Sequence, residues 1–238
     1  MLSALALVPS TPLLSEQLAG SAVRELEDLR TAVRLAGDNL RHVSDWWIAI
    51  GAASTTGTVG PDAAGTYAGF GVDVVVGLCS ESAAEPDRGM ALSALTVGLV
   101  RGHCAADLSV TVHLVRFDAD PDECLKIAAT LRDIIDGHSD RVGLLVVGDG
   151  ATTLTDKAPG AFDARAEAVQ NTIDDAMATG DTGALLGLDP VLCREVGAAG
   201  RAAWHVAASV VGDAPVIARS LYRGAPYGVG YNVAVWEL

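Results

Sequence analysis

The residues best placed to do chemistry in this chain are Gly148, Asp149, Gly150, Thr152, Thr153 and Thr155. They follow the apolar run Val142–Val147 without a gap, so a buried strand should deliver a carboxyl group, several hydroxyls and glycine backbone to one turn. In open α/β sheets, ligands bind outside the carboxyl ends of strands. Two readings of the turn are open. Its backbone amides are numerous enough to cradle a phosphate, although the lysine of a P-loop and the spacing of a dinucleotide fingerprint are absent. Alternatively it is a tight turn, with Asp149 capping the segment that follows rather than orienting a ligand hydroxyl.

Other reactive side chains are scattered. Ser54-Thr55-Thr56-Gly57-Thr58 clusters hydroxyls, yet no nucleophile elbow surrounds them, so they read as a hydroxyl-rich loop. Tyr222, Tyr227 and Tyr231 lie near Arg219 and Arg223 and suit either an anionic aromatic ligand or a subunit interface. The histidines His42, His103, His113, His138 and His205 never pair at i, i+4, and none falls at a predicted strand end. Each reads as a core or surface residue; only His113 and His205 would gain interest by meeting in the fold. Adjacent Trp46 and Trp47 should point to opposite faces of a strand.

Positioning these groups requires strands and helices in alternation. Short apolar runs predict strands at Leu2–Val8, Trp46–Ala52, Val72–Cys79, Ser109–Arg116, Val142–Gly148, Pro215–Leu221 and Val229–Trp236. Between them, Leu26, Leu29, Val33, Ala36, Leu40 and Val43 form one stripe within a helix over Val23–Val43. Further helices are predicted over Met90–Cys104, from Asp120-Pro121 to Gly137, and over Ala164–Met177. A last helix starts at Asp189-Pro190 and runs unbroken through Leu192, Val196, Ala199, Ala203, Val206 and Val210. Gly51–Gly71 reads as the longest loop. The pattern predicts a single α/β domain over 1–238, a three-layer α/β/α sandwich around a mostly parallel mixed sheet.

Composition narrows the partners. Thirty acidic against 16 basic residues give a net charge of −14, a surface that repels phosphate backbones and argues against nucleic acid. The four cysteines, Cys79, Cys104, Cys124 and Cys193, are widely spaced in apolar surroundings and read as reduced thiols of a cytoplasmic protein. No apolar run is long enough to cross a bilayer.

Three stretches together resemble a known family. They are Val8-Pro9-Ser10-Thr11-Pro12-Leu13-Leu14, Gly148-Asp149-Gly150-Ala151-Thr152, and Gly224-Ala225-Pro226-Tyr227-Gly228-Val229-Gly230-Tyr231-Asn232-Val233-Ala234-Val235-Trp236. Their order and spacing are similar to the class III extradiol ring-cleavage dioxygenases, the LigB-like superfamily. That resemblance implies a mononuclear Fe(II) held by two histidines and a carboxylate, with a further histidine as acid/base. Ser10 stands where the family's first histidine is expected, Ile50-Gly51-Ala52-Ala53 where a Pro-His is expected, and Thr152 where the acid/base histidine is expected. Hydroxyls ligate Fe(II) poorly and do not act as bases at neutral pH unaided. Glu195 is a weak candidate ligand that alone would not hold iron.

The resemblance therefore implies a family member without its iron site, binding a small aromatic or anionic molecule or serving a partner protein. Ser10, Thr11, Gly51, Thr55, Gly148, Asp149, Gly150, Thr152 and Tyr227 are the candidate ligand contacts, with Ser10, Asp149 and Thr152 the candidates for residual catalysis. No cofactor is expected unless the family activity, and with it Fe(II), is retained. Two further readings stay open: an active oxidoreductase with an unconventional metal site, and a structural oligomer whose cleft is filled. The apolar C-terminal strand makes a homodimer reasonable.

Overall fold

A computed structural model describes residues 1–20, 24–81 and 84–238. Those residues form nine strands and eight α-helices. The main sheet contains β1 (Leu2–Val8), β2 (Trp46–Ala53), β3 (Gly57–Val59), β6 (Val110–Arg116), β7 (Val142–Val147), β8 (Ile217–Gly224) and β9 (Tyr231–Glu237). Its order is β3-β6-β2-β7-β1-β9-β8. The four central strands β6, β2, β7 and β1 run parallel, and β3, β9 and β8 add antiparallel edges. A separate ribbon pairs β4 (Ala64–Thr66) with β5 (Val75–Gly77).

The helices are α1 (Glu16–Ala19), α2 (Glu27–Val43), α3 (Leu92–Cys104), α4 (Pro121–Asp136), α5 (Ala166–Thr179), α6 (Thr182–Leu186), α7 (Pro190–Glu195) and α8 (Arg201–Val211). The chain steps from β1 to β2 and on to β6 in one direction, then reverses to reach β7. Right-handed crossovers place helices on opposite faces when the direction of travel reverses. Accordingly α2 and α3 cover one face and α4 the other, where α5 and α8 join it.

The two-residue period of each central strand divides its side chains between these layers. Leu5, Leu7, Ile48, Ile50, Leu144 and Val146 pack toward α4, α5 and α8. Ala4, Ala6, Val8, Trp47, Ala49, Leu145 and Val147 pack toward α2 and α3. Burying a Leu, Ile or Val side chain contributes about 1.5–3 kcal/mol, so both layers are needed to hold the sheet. The tryptophan pair follows the same rule. Trp47 donates its indole N–H to Ser44 at 3.0 Å, and Trp46 stacks on His138 with ring centroids 4.0 Å apart.

Several predicted boundaries are corrected. The predicted strand Val72–Cys79 contracts to β5, which pairs with β4. The supposed loop Gly51–Gly71 forms the end of β2, then β3, β4 and a 3₁₀ turn at Tyr67–Phe70. Helix α2 begins at Glu27, and the predicted start at Val23 lies outside the described residues. Asp120 does cap α4, accepting the Glu123 N–H at 2.8 Å. The four cysteines are free, with Cys124 and Cys193 buried and Cys79 and Cys104 half-buried. Among the described residues no helix is long and apolar enough to cross a membrane.

The largest correction concerns the single helix expected after Asp189. It is two, α7 and α8, separated by Val196–Gly200. Gly197 has φ +75°, and a Cβ there would stand 2.0 Å from Thr152 Oγ1. Gly200 comes so close to the end of β7 that a Cβ on Gly148 would lie 2.6 Å from Gly200 Cα. A continuous helix would drive its backbone into the β7 loop. Gly148→Ala should therefore lower the free energy of unfolding by about 1–3 kcal/mol, whereas Gly102→Ala should be neutral or slightly stabilising. Gly102 lies within α3, where an added Cβ meets nothing within 4 Å. Urea denaturation of the two variants checks this; equal effects would contradict the close approach.

Candidate functional site

The parallel strands β1, β2, β6 and β7 end at the same edge of the sheet, and the segments leaving them enclose a cleft of about 310 Å³. Ser10 follows β1, Ala52, Ala53 and Ser54 end β2, Phe117 follows β6, and Gly148 and Asp149 follow β7. Ala91 and Leu92 at the start of α3 and Ala199 from the α7–α8 turn complete the wall. This is the position at which open α/β sheets take ligands. The cleft is open, and its volume lies at the small end of the range for small-molecule sites.

Backbone hydrogen bonds fix the β7 loop between two neighbours. Gly150 donates to Gly230 O at 2.9 Å, and Gly230 donates back to Ala151 O at 2.8 Å. On the other side Thr152 donates to Val196 O at 3.1 Å, and Gly200 donates to Asp149 O at 2.8 Å. Gln170 Oε1 accepts the Ala151 N–H at 2.8 Å, while its amide donates to Asp174 at 2.6 Å. Asn232 of β9 donates to the same Asp174 oxygen at 2.6 Å. The loop is thus tied to α5, β9 and the α7–α8 turn at once.

These bonds overturn the phosphate-cradle reading. An anion nest needs several free amide hydrogens converging on one point. Here the amides of Gly148, Gly150, Ala151, Thr152 and Leu154 all donate to protein acceptors. No lysine or arginine lines the cleft either, so an anionic ligand finds no cation there.

What the loop presents instead is Asp149. Ser10 donates its backbone N–H to Asp149 Oδ1 at 2.6 Å. Among the described residues Oδ2 receives no protein hydrogen bond. Burial pushes the carboxyl group up to about 7, against the opposing pull of the Ser10 N–H. Two of the three sequence stretches singled out above therefore meet in one hydrogen bond, and the third supports them through Gly230. Asp149 is not the cap of the following segment.

The other expected contacts lie elsewhere. Thr152 does not line the cleft; its hydroxyl faces Gly197. Thr11 caps the 3₁₀ turn Pro12–Leu14 and accepts a hydrogen bond from Tyr231 at 3.2 Å. Gly51 faces Ser93. Thr55 opens into a neighbouring depression toward Glu85 and Asp87. Tyr227, at φ 61°, donates to Glu25 at 2.5 Å on the surface. Arg223 is occupied by Asp174, Asp175 and Asn171, so the C-terminal tyrosine–arginine group does not form the cleft. Glu195 is exposed and pairs with Arg165 at 2.8 Å. His113 and His205 share no hydrogen bond or ring contact, and burial pulls both imidazoles down.

Four lining residues, Ala91, Leu92, Phe117 and Ala199, escaped the sequence reading of the site. Phe117 follows β6 directly, and its place at a strand end was the available signal. Ala91, Leu92 and Ala199 carried none, being ordinary apolar residues beside helix starts.

The iron implied by the family resemblance does not fit these residues. The polar groups lining the cleft are the Ser10 and Ser54 hydroxyls and a single carboxyl, with no imidazole or thiol. Among the described residues no three His, Cys, Asp or Glu side chains converge on a point that could hold a metal ion.

A half-buried carboxyl group whose proton is held above the usual carboxylate range has a measurable consequence. Between the ordinary aspartate value of 3.8 and about 7, the folded chain binds a proton that the unfolded chain has released. Stability contributed by this group is complete at low pH and declines as pH rises to about 7, by on the order of a few kcal/mol. Asp149→Asn removes the ionisation and should raise the melting temperature relative to wild type at pH 8 while changing it little at pH 4.5. A difference that is the same at both pH values would contradict the raised value.

No family model matches the sequence, and no curated protein matches it. A solved structure of an uncharacterized protein, JW3007 from Escherichia coli K12, shares the fold with a TM-score of 0.52. It is 12% identical, and the alignment covers 99% of this chain and 100% of that one. The likeness at this identity is one of architecture: this chain has the α/β fold of that protein.

Proposed function

We propose that this chain is a metal-free relative of the class III extradiol ring-cleavage dioxygenases that binds a small aromatic molecule in the cleft at the ends of β1, β2 and β7. The observation that carries the reading is the meeting of Ser10 and Asp149 in an open, mainly apolar cleft, with hydroxyl or aliphatic residues in the positions of the expected histidines. Phe117, 44% exposed at the wall, offers an aromatic face to a planar ligand. The alanines of β2 leave room that bulkier side chains would fill. An open cleft favours binding over a purely structural role, and the lone carboxyl group favours binding over iron chemistry.

Catechol is the appropriate probe, examined by saturation-transfer-difference NMR with a chelator present. Transfer to the ring protons is expected, and Ala199→Trp should abolish it by filling the cleft. In parallel, protein incubated anaerobically with Fe(II) and then dialysed should retain far less than one iron per chain and should not consume oxygen when catechol is added. Absence of transfer to catechol would overturn the binding reading. Stoichiometric iron with oxygen uptake would overturn the metal-free one.

A further inference from the structure

The chemistry of Asp149 specifies the ligand more narrowly than size and shape do. Its Oδ1 is engaged by one backbone N–H, from Ser10. Oδ2 has no protein donor among the described residues, and no lysine, arginine or histidine lines the cleft to balance a negative charge. An ionised carboxyl group half-buried against an apolar wall, with one hydrogen bond and no counter-ion, is costly, and a proton offsets that cost. A protonated carboxyl is a donor as well as an acceptor. With Oδ1 accepting from Ser10, the proton belongs on Oδ2.

Resting on the small-molecule reading above, we infer that Asp149 acts in the cleft as a hydrogen-bond donor through Oδ2, and that the site selects uncharged aromatic molecules carrying a carbonyl-type acceptor oxygen over their anionic and cationic analogues. An anion would find no lysine, arginine or histidine lining the cleft. A cation would require Asp149 to ionise against its burial. A neutral carbonyl accepts the Oδ2 proton while its ring lies against Leu92 and Phe117.

Binding of this kind is sensitive to pH in one direction. The titratable neighbour facing Asp149 is Tyr231 of β9, whose phenol is pushed up to about 12 and stays neutral across the relevant range. Arg201, at the start of α8, turns away toward Ala119 O and Cys124. The remaining lining side chains do not titrate. Only the protonated site is competent, so affinity for a neutral acceptor falls with the protonated fraction, about tenfold between pH 6 and pH 8 for a group titrating at about 7.

The test compares benzamide, benzoate and benzylamine, three molecules of similar size that differ in charge, by ligand-observed NMR titration at pH 6 and pH 8. Benzamide should bind best at pH 6 and about tenfold more weakly at pH 8, with benzoate and benzylamine weaker than benzamide at pH 6. Asp149→Asn keeps a neutral donor and should bind benzamide equally at both pH values. Asp149→Ala, confirmed as folded by circular dichroism, should lose most of the affinity. Preference for benzylamine at pH 6, pH-independent benzamide binding by wild type, or loss of benzamide binding in a folded Asp149→Asn variant would each overturn the inference. If catechol binds and the benzamide preference is absent, this inference alone fails. If catechol and all three probes fail to bind, the small-molecule reading fails with it.

Discussion

The contact on which the site depends is the approach of two stretches of backbone, the end of β7 at Gly148 and the start of α8 at Gly200. It allows the Asp149 carbonyl to accept the Gly200 N–H at 2.8 Å, and it breaks what would otherwise be one helix into α7 and α8. With Gly230 holding the loop from the opposite side, the chain after β7 has little freedom. The Asp149 side chain is consequently directed at the end of β1, where the Ser10 N–H meets it. Position and environment of the carboxyl group follow from packing that is mostly backbone on backbone.

That rigidity decides the chemistry. A loop of free amides would attract anions, but this one consumes its amides in holding its own shape. A set of imidazoles would attract a transition metal, but the cleft offers two hydroxyls and one acid. What is left is a half-buried acid without a cation, and its desolvation favours the neutral form. The site then resembles a solvent pocket of low polarity with one hydrogen-bond donor more than a charged centre, despite the strongly acidic surface around it. Surface charge and site charge are separate properties here because most acidic residues face water and the cleft wall is mainly apolar.

Much of the fold was legible because local pattern and tertiary burial agree. The run Leu2–Val8 is β1 to the residue, and the predicted strand Val142–Gly148 is β7 less its last residue, each apolar on both faces as a doubly covered parallel strand must be. Asp120, Pro121 and Gly137 marked α4 because caps are local chemistry. The α7–α8 break was not legible, since Leu192, Val196, Ala199 and Ala203 keep helical spacing straight through it. Only the arrival of Thr152 and Gly148 from another part of the chain forces the turn. The same limit applies to the site. Ser10 and Asp149 were visible as residues at strand ends, whereas the direction of the Thr152 hydroxyl, toward Gly197 and away from the cleft, depends on a partner 45 positions along the chain. Ala199 became a cleft residue through topology alone.

The central claim is that one carboxyl group in the cleft remains protonated close to neutral pH, and it is open to direct observation. Carbon-detected NMR of the aspartate carboxyl carbons, with the Asp149 signal assigned by its absence in Asp149→Asn, follows ionisation of this single group as pH is raised. The account predicts a midpoint of about 7. A midpoint at the ordinary aspartate value near 3.8 would mean that the group is ionised and solvated in the folded protein, and the neutral-donor account of the cleft would be wrong.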